Sequence, residues 1–388
     1  MTKNKVFLVD DDPRIGRLIA RAAKRKGIEP TAIDQPEEFS DAYDKVKPDL
    51  ILLDLQMPRL DGVELLRLLA KKKSKSAIVL TSGMDKSVLQ TTMSLGRELG
   101  LNMSGFLQKP LQLDALMDLL DKQFSLGHET VIQKTSFSTQ DISDAMDRNE
   151  FTAYYQPQID LSSGEMTGVE ALARWSHPEL GLLPPSHFIT AVEQDRDLAR
   201  KLLFLILNEV FVANNALQKQ GKKINFSVNL AAISLQDLYL PDLLFTLIND
   251  AKFDPERLFL EVTESGAMQD PVLSMDILTR LRLKNIKLSI DDFGTGFSSL
   301  LQLYRLPFNE LKIDRSFVME ALQEKEAATI VKLTVDLGHQ LGLKVVAEGI
   351  EDLATSQWLR ELGCDYGQGY YFAKPMRVDE LLTWAPEL

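Results

Sequence analysis

Leu288-Ser289-Ile290-Asp291-Asp292-Phe293-Gly294-Thr295-Gly296-Phe297-Ser298-Ser299-Leu300 carries a short apolar run to an abrupt end in two adjacent carboxylates, followed by a glycine-rich turn. Neighbouring aspartates repel each other, and at a desolvated strand end one must take up a proton unless a cation compensates both. A divalent metal is the simplest compensation. Asp291 and Asp292 therefore mark a place where something is bound.

The same design recurs on both sides of this stretch. Phe151 to Pro157 and Met166 to Trp175 read as strands separated by the turn Ser162-Ser163-Gly164, and further strands are expected at 224–230, 258–264, 310–314, 344–348 and 369–372. Segments of helical periodicity, such as Met275 to Lys284 and Thr329 to Leu341, lie between most of them. The sum is a TIM-barrel-like (β/α)8 unit, whose active site belongs at the carboxyl-terminal mouth. Glu170, Asn229, Glu261, Asp291, Asp292, Lys312, Glu348 and Gln368 all fall within or at the end of an apolar run, where an unpaired charge is costly. Their repetition around a ring predicts one polar site. All-oxygen ligands without a His or Cys cluster favour Mg²⁺, Mn²⁺ or Ca²⁺ over zinc.

Toward the N-terminus, Val6-Phe7-Leu8-Val9 delivers Asp10-Asp11-Asp12, Leu50 to Leu53 delivers Asp54, Ala77 to Leu80 delivers Thr81, and Gly105 to Gln108 ends in Lys109-Pro110. Strands alternating with helices predict a parallel, doubly wound sheet whose functional groups gather beyond the strand ends. Asp10, Asp11, Asp54, Thr81 and Lys109 should converge there. The pattern suits a Mg²⁺-holding acid cluster with one nucleophilic aspartate.

With 388 residues the chain has room for two domains. The expected boundaries are 1–122, a linker at 123–143 rich in Ser, Thr and Gln, and 144–388. A net charge of −12 speaks against DNA or RNA as partner. A single cysteine, Cys364, fits a reducing compartment and a buried apolar role. The N-terminus lacks a signal-peptide layout. The apolar run Leu202 to Leu207 falls short of the roughly 20 residues a membrane span needs and reads as a core helix. A cytoplasmic location away from the membrane is expected.

Residues 1 to about 122 resemble the receiver domain of two-component response regulators, which implies a flavodoxin-like fold. The resemblance implies Asp54 as phosphoacceptor, Asp10 and Asp11 as holders of Mg²⁺, Thr81 and Lys109 as sensors of the phosphoryl group, and Phe106 as the aromatic switch. The stretch from Asp85 to Ser104 is longer than the usual segment between the threonine and lysine strands, a departure that bears on whether the usual receiver dimer surface applies. Residues 144 to about 380 resemble the EAL domain of cyclic di-GMP phosphodiesterases. The motifs are Glu170-Ala171-Leu172-Ala173-Arg174-Trp175, Ser227-Val228-Asn229-Leu230, Glu261-Val262-Thr263-Glu264-Ser265, Asp291 to Leu300, Lys312-Ile313-Asp314, Ala347-Glu348-Gly349-Ile350-Glu351 and Gln368-Gly369-Tyr370-Tyr371-Phe372.

This second resemblance implies hydrolysis of cyclic di-GMP to linear pGpG with two Mg²⁺ or Mn²⁺ ions. Glu170, Asn229, Glu261 and Asp291 would hold one ion, and Asp291, Asp292 and Glu348 the other. Lys312 would orient the attacking water, with Glu348 assisting as base and Glu170 counted among the catalytic groups. Gln156, Leu172, Arg174, Asp314 and Gln368 would touch the dinucleotide. Glu264 would anchor the loop Phe293 to Ser299. A sensor histidine kinase as phosphodonor and a homodimer or larger assembly complete the expectation. A cyclic di-GMP sensor without turnover and a phosphorylation-dependent scaffold are the rival readings. No Gly-Gly-Asp/Glu-Glu-Phe cyclase signature occurs.

Overall fold

The computed structural model describes residues 4–84, 86–111, 113–124, 137–294 and 300–386. They form two compact units, Met1–Gln133 and Lys134–Leu388. Most of the expected linker, with His128, lies outside the described residues; its described end belongs to the helix Thr139–Asp147.

The first unit is a five-stranded sheet of β1 (Lys5–Val9), β2 (Glu29–Ile33), β3 (Leu50–Asp54), β4 (Ala77–Ser82) and β5 (Asn102–Gln108), ordered β2-β1-β3-β4-β5. Every pairing is parallel. Alternate side chains enter opposite cores, as a period of two demands. Phe7, Val9, Ile51, Leu53, Ile78 and Leu80 pack on one face, and Val6, Leu8, Leu50, Leu52 and Val79 on the other. The length between Asp85 and Ser104 is taken up by the helix Lys86–Glu98 and by an irregularity opposite Ile78 and Val79, which pair with Met103 and Gly105 and leave Ser104 as the extra residue. Asp85 itself lies outside the described residues.

The second unit is a closed barrel. Its strands are β6 (Phe151–Asp160), β7 (Met166–His177), β8 (Gly181–Leu183), β9 (Asn225–Asn229), β10 (Leu258–Thr263), β11 (Lys287–Phe293), β12 (Glu310–Ile313), β13 (Lys344–Ala347) and β14 (Tyr366–Gly367). The sheet runs β6-β14-β13-β12-β11-β10-β9-β7-β8, and the β6–β7 pairing closes eight of these strands into a ring. β6 is antiparallel to both of its neighbours, while the strands from β7 through β14 along the other side of the ring pair in parallel.

One expected strand is corrected. Residues 369–372 form a turn, and the last barrel strand is the two-residue β14 just before it. Tyr371 N donates to the Ile350 carbonyl, so the backbone here is engaged in a loop crossing and not in a ladder. The expected alternation of Tyr370, Tyr371 and Phe372 on a strand therefore does not hold. The helix Arg196–Lys219 buries Leu202, Leu203, Ile206 and Leu207 as a core helix should, and among the described residues no helix is long and apolar enough to cross a membrane.

Candidate active site

On a regular strand Asp291 and Asp292 would point to opposite faces. The ladder between β11 and β12 shifts between Ile290 and Phe293, and Asp292 has φ of 54°, a left-handed conformation that aspartate tolerates better than most residues. With this irregularity, carboxylate oxygens of Asp291, Asp292 and Glu348 lie within 4.8 Å of one another. Glu348 follows β13, separated from β11 by β12, so its carboxylate meets the aspartate pair across the strand that carries Lys312.

Lys312 stands at the centre of the ring with its side chain fully buried. Its Nζ lies 2.6 Å from Glu348, 2.9 Å from Glu261, 3.3 Å from Asp291 and 3.5 Å from Glu170. Burial alone would lower the lysine pKa, but the surrounding acids, Asp291 foremost, hold it well above the ordinary value. The acids respond unequally to the same field. Burial and the neighbouring Glu170 push Glu261 well up. Burial also raises Glu348 to about 8, with Asp291 and Glu170 adding to the shift and Lys312 opposing it. Asp292 rises to about 6, through burial and then Asp291. Glu170 goes the other way: burial would raise it, but Lys312 together with donors from Gln368 and Asn229 lowers it.

Those donors form a network. Gln368 Nε2 donates to Glu170 at 2.6 Å and to Gln156 at 3.0 Å, Asn229 Nδ2 donates to the other Glu170 oxygen at 2.9 Å, and Gln156 Nε2 donates to the Ala373 carbonyl at 3.1 Å. Groups on or just beyond β6, β9 and β14 thereby fix one carboxylate of β7. Above it an open pocket of about 210 Å³ is lined by Gln156, Glu170, Leu172, Asp291, Glu348 and Gln368, and also by Arg315, Met319, Glu351 and Tyr370. Arg174 and Asp314 stand outside that lining. Arg174 donates to its own Ala173 carbonyl and lies over the Tyr154 ring, while Asp314 caps the helix Arg315–Glu320.

In the first unit, Asp10 follows β1 and Asp54 ends β3, the neighbouring strands at which the sheet order reverses direction. Oxygens of Asp10, Asp11 and Asp54 lie within 4.8 Å of one another. Lys109 Nζ is 2.9 Å from Asp10 and 2.8 Å from Asp54. Burial raises the Asp54 pKa against the lowering effect of Lys109. Thr81 is the register partner of Asp54, and its buried hydroxyl has no hydrogen-bond partner among the described residues. Asp12 is set apart, because its side chain accepts from Arg14 N as the cap of the helix Pro13–Arg25. Phe106 is half-buried against the core on the Phe7 face.

Residues 139–375 match the EAL domain family, and residues 6–121 match the response regulator receiver domain. The chain is a receiver-linked EAL-domain protein. Cyclic di-GMP phosphodiesterase RocR of Pseudomonas aeruginosa is 33% identical to it over 392 residues, covering 99% of each chain. Probable cyclic di-GMP phosphodiesterase PdeB of Escherichia coli is 34% identical over 277 residues, covering 71% of this chain and 52% of that protein. Among solved structures, the PaMucR phosphodiesterase in its c-di-GMP complex is 40% identical with a TM-score of 0.59, over 62% of this chain and 98% of the other.

Within the EAL domain, Glu264 opens the short helix after β10 and accepts from Gly294 N at 2.9 Å, tying the end of β11 to its neighbour. Residues 295–299 of the expected loop lie outside the described residues. Sequence reasoning overlooked Arg315, Met319 and Glu351 as pocket residues. The signal was available for Arg315 and Glu351, since each lies within a few residues of a polar residue at a strand end of the EAL domain, Lys312 and Glu348 respectively.

Proposed function

We propose that the EAL domain hydrolyses cyclic di-GMP to linear pGpG and that phosphorylation of the receiver at Asp54 raises its turnover. The observation that carries this reading is the buried Lys312 ringed by Glu170, Glu261, Asp291 and Glu348 at the floor of an open pocket. One ammonium cannot neutralise that many acids, and the buried Oε1 of Glu261 has no hydrogen-bond partner among the described residues. This donor set fits divalent cations. Glu170, Asn229, Glu261 and Asp291 would hold one Mg²⁺ or Mn²⁺, and Asp291, Asp292 and Glu348 a second. When bound, such ions supply Lewis-acid polarisation of phosphoryl oxygens and lower the pKa of water from 15.7 toward about 7.

The chain's own residues supply the rest. Water attacks phosphorus, the bond to the 3′ oxygen breaks, and a 5′-phosphate and a 3′-hydroxyl result. Glu348 suits the role of base for the attacking water, because Lys312 at 2.6 Å steadies its carboxylate once formed. The Gln156–Gln368–Glu170 network keeps Glu170 in one orientation. Arg315, on the pocket wall, is the group best placed to meet a phosphate oxygen; Arg174 and Asp314 would have to leave their present contacts to reach the dinucleotide. In the receiver, Asp10 and Asp11 would hold Mg²⁺ beside Asp54, Thr81 and Lys109 would meet the incoming phosphoryl oxygens, and Phe106 would respond as the switch. A sensor histidine kinase as donor and self-association into a homodimer or larger assembly belong to the same reading.

The test is turnover of cyclic di-GMP in Mg²⁺ or Mn²⁺, with and without a small-molecule phosphodonor, using Glu170→Ala as blank. The expected result is pGpG that disappears in the blank and increases with phosphodonor in wild type but not in Asp54→Asn. Tight binding without product in every state would instead favour a sensor. A second expectation concerns Glu264→Ala: loss of the Gly294 tether lowers turnover by about tenfold, the effect of one displaced charge-assisted hydrogen bond. Unchanged turnover and metal affinity in that variant would remove Glu264 from the role of anchor.

A further inference from the structure

Beneath the acidic ring four strands of the barrel carry a buried polar residue where a barrel core is ordinarily filled by branched apolar side chains. Gln158, Ser227, Ser289 and Glu310 are all buried. Each lies two residues deeper along its strand than a residue of the mouth, namely Gln156, Asn229, Asp291 and Lys312, and so shares that residue's inward face. Each also has a buried polar atom without a hydrogen-bond partner among the described residues: Gln158 Nε2, Ser227 Oγ, Ser289 Oγ and Glu310 Oε1. Ser289 and Glu310 are direct register partners on β11 and β12. Buried polar atoms left without protein partners are met by ordered water, which needs two to four of them to stay.

We propose that Gln158, Ser227, Ser289 and Glu310 enclose a buried water site under the acidic ring, and that Glu310 is a positioning residue that tunes how strongly the ring holds divalent cations. This rests on the metal-dependent reading of the site and deepens it. A carboxyl in this place holds a proton when neutral and presents a negative charge to the ring when ionised. The groups facing it are Lys287 and Asp291 from β11, Lys312 from its own strand, its register partner Lys344 from β13, and Tyr366 from β14. Burial pushes the Glu310 carboxyl up to about 7, with Ser289 and the lysines opposing the shift. The charge therefore arrives as pH rises through neutrality, and an added negative charge below the ring strengthens its hold on a dication.

The experiment is a titration of the full-length protein with Mn²⁺ alone, by calorimetry at pH 6 and pH 8, for wild type, Glu310→Gln and Ser289→Ala. At pH 8 Glu310→Gln should bind Mn²⁺ about tenfold more weakly than wild type, and at pH 6 the two should agree within about twofold. Ser289→Ala, which removes a hydroxyl that favours the ionised form, should keep the gain but move it to higher pH. A crystal structure of wild type should show ordered water between Ser289 and Glu310. Equal pH dependence of Mn²⁺ affinity in wild type and Glu310→Gln, or a dry core, would overturn the proposal. Because Mn²⁺ binding is read without turnover, failure of cyclic di-GMP hydrolysis would count against the proposed function alone.

Discussion

Replacing Lys312 by methionine is expected to lower cyclic di-GMP turnover by about a thousandfold, the scale on which loss of a preorganised charged group acts. The same change should destabilise the ion-free barrel by about 3 to 5 kcal/mol, since it strands Glu170, Glu261, Asp291 and Glu348 around an apolar side chain. The two losses have separable signatures. Excess Mg²⁺ should restore most of the stability, because cations can take over the neutralisation, yet leave turnover low. Acid should also shrink the stability deficit. Glu348 and Glu261, already raised by burial, take up protons readily once the ammonium is gone, so the wild-type advantage is largest above neutral pH and fades as pH falls. Thermal unfolding in chelator across pH 5 to 8, with and without Mg²⁺, checks this. A variant as stable as wild type in chelator at pH 8 would mean that the four acids do not depend on the lysine.

Gly369→Ala is expected to cost about 3 kcal/mol or more, although the residue has no side chain and no catalytic group. A Cβ there would run into the backbone oxygen and nitrogen of Ile350. Neither atom is free to retreat, since Ile350 N donates to the Gln368 carbonyl at 3.1 Å and the Ile350 carbonyl accepts from Tyr371 N at 2.9 Å. The displaced segment carries Gln368, the donor to Glu170, so weaker cyclic di-GMP binding should accompany a fall of roughly 10 °C in the barrel's melting temperature. A melting curve that overlays wild type would show that the crossing can open at little cost.

These two positions differ in how visible they are from sequence. Lys312 is legible because a charge inside the apolar run Leu311 to Ile313 is too costly to bury unless opposite charges meet it. The reason for Gly369 is hidden, since the strand expected at 369–372 is a turn and the true strand has only two residues, too few for any periodicity. β2 escapes a sequence reading for a related reason. Glu29-Pro30-Thr31-Ala32-Ile33 lies at the sheet edge, is only partly buried, and carries a proline that a central strand would exclude. Strand ends that deliver acids are readable in both units because burial forces composition there. What sequence does not supply is direction: the antiparallel course of β6 leaves no trace in its alternation, and the register shift that aims Asp291 and Asp292 together depends on a single backbone angle.

That reversed strand decides at which end the barrel is held. If β6 ran with its neighbours, the chain would arrive at the floor, as far as the domain allows from the chemistry. Running backward, it arrives at the rim: Phe151 pairs with Trp175, one residue beyond Arg174, and the incoming Phe137 packs tilted against the same indole with ring centroids 4.3 Å apart. The leash that joins the receiver to the EAL domain is thus fastened beside the working edge. Leu172, Arg174 and Gln156 lie within a few residues of that entry point along β7 and β6, on the rim and not behind the core.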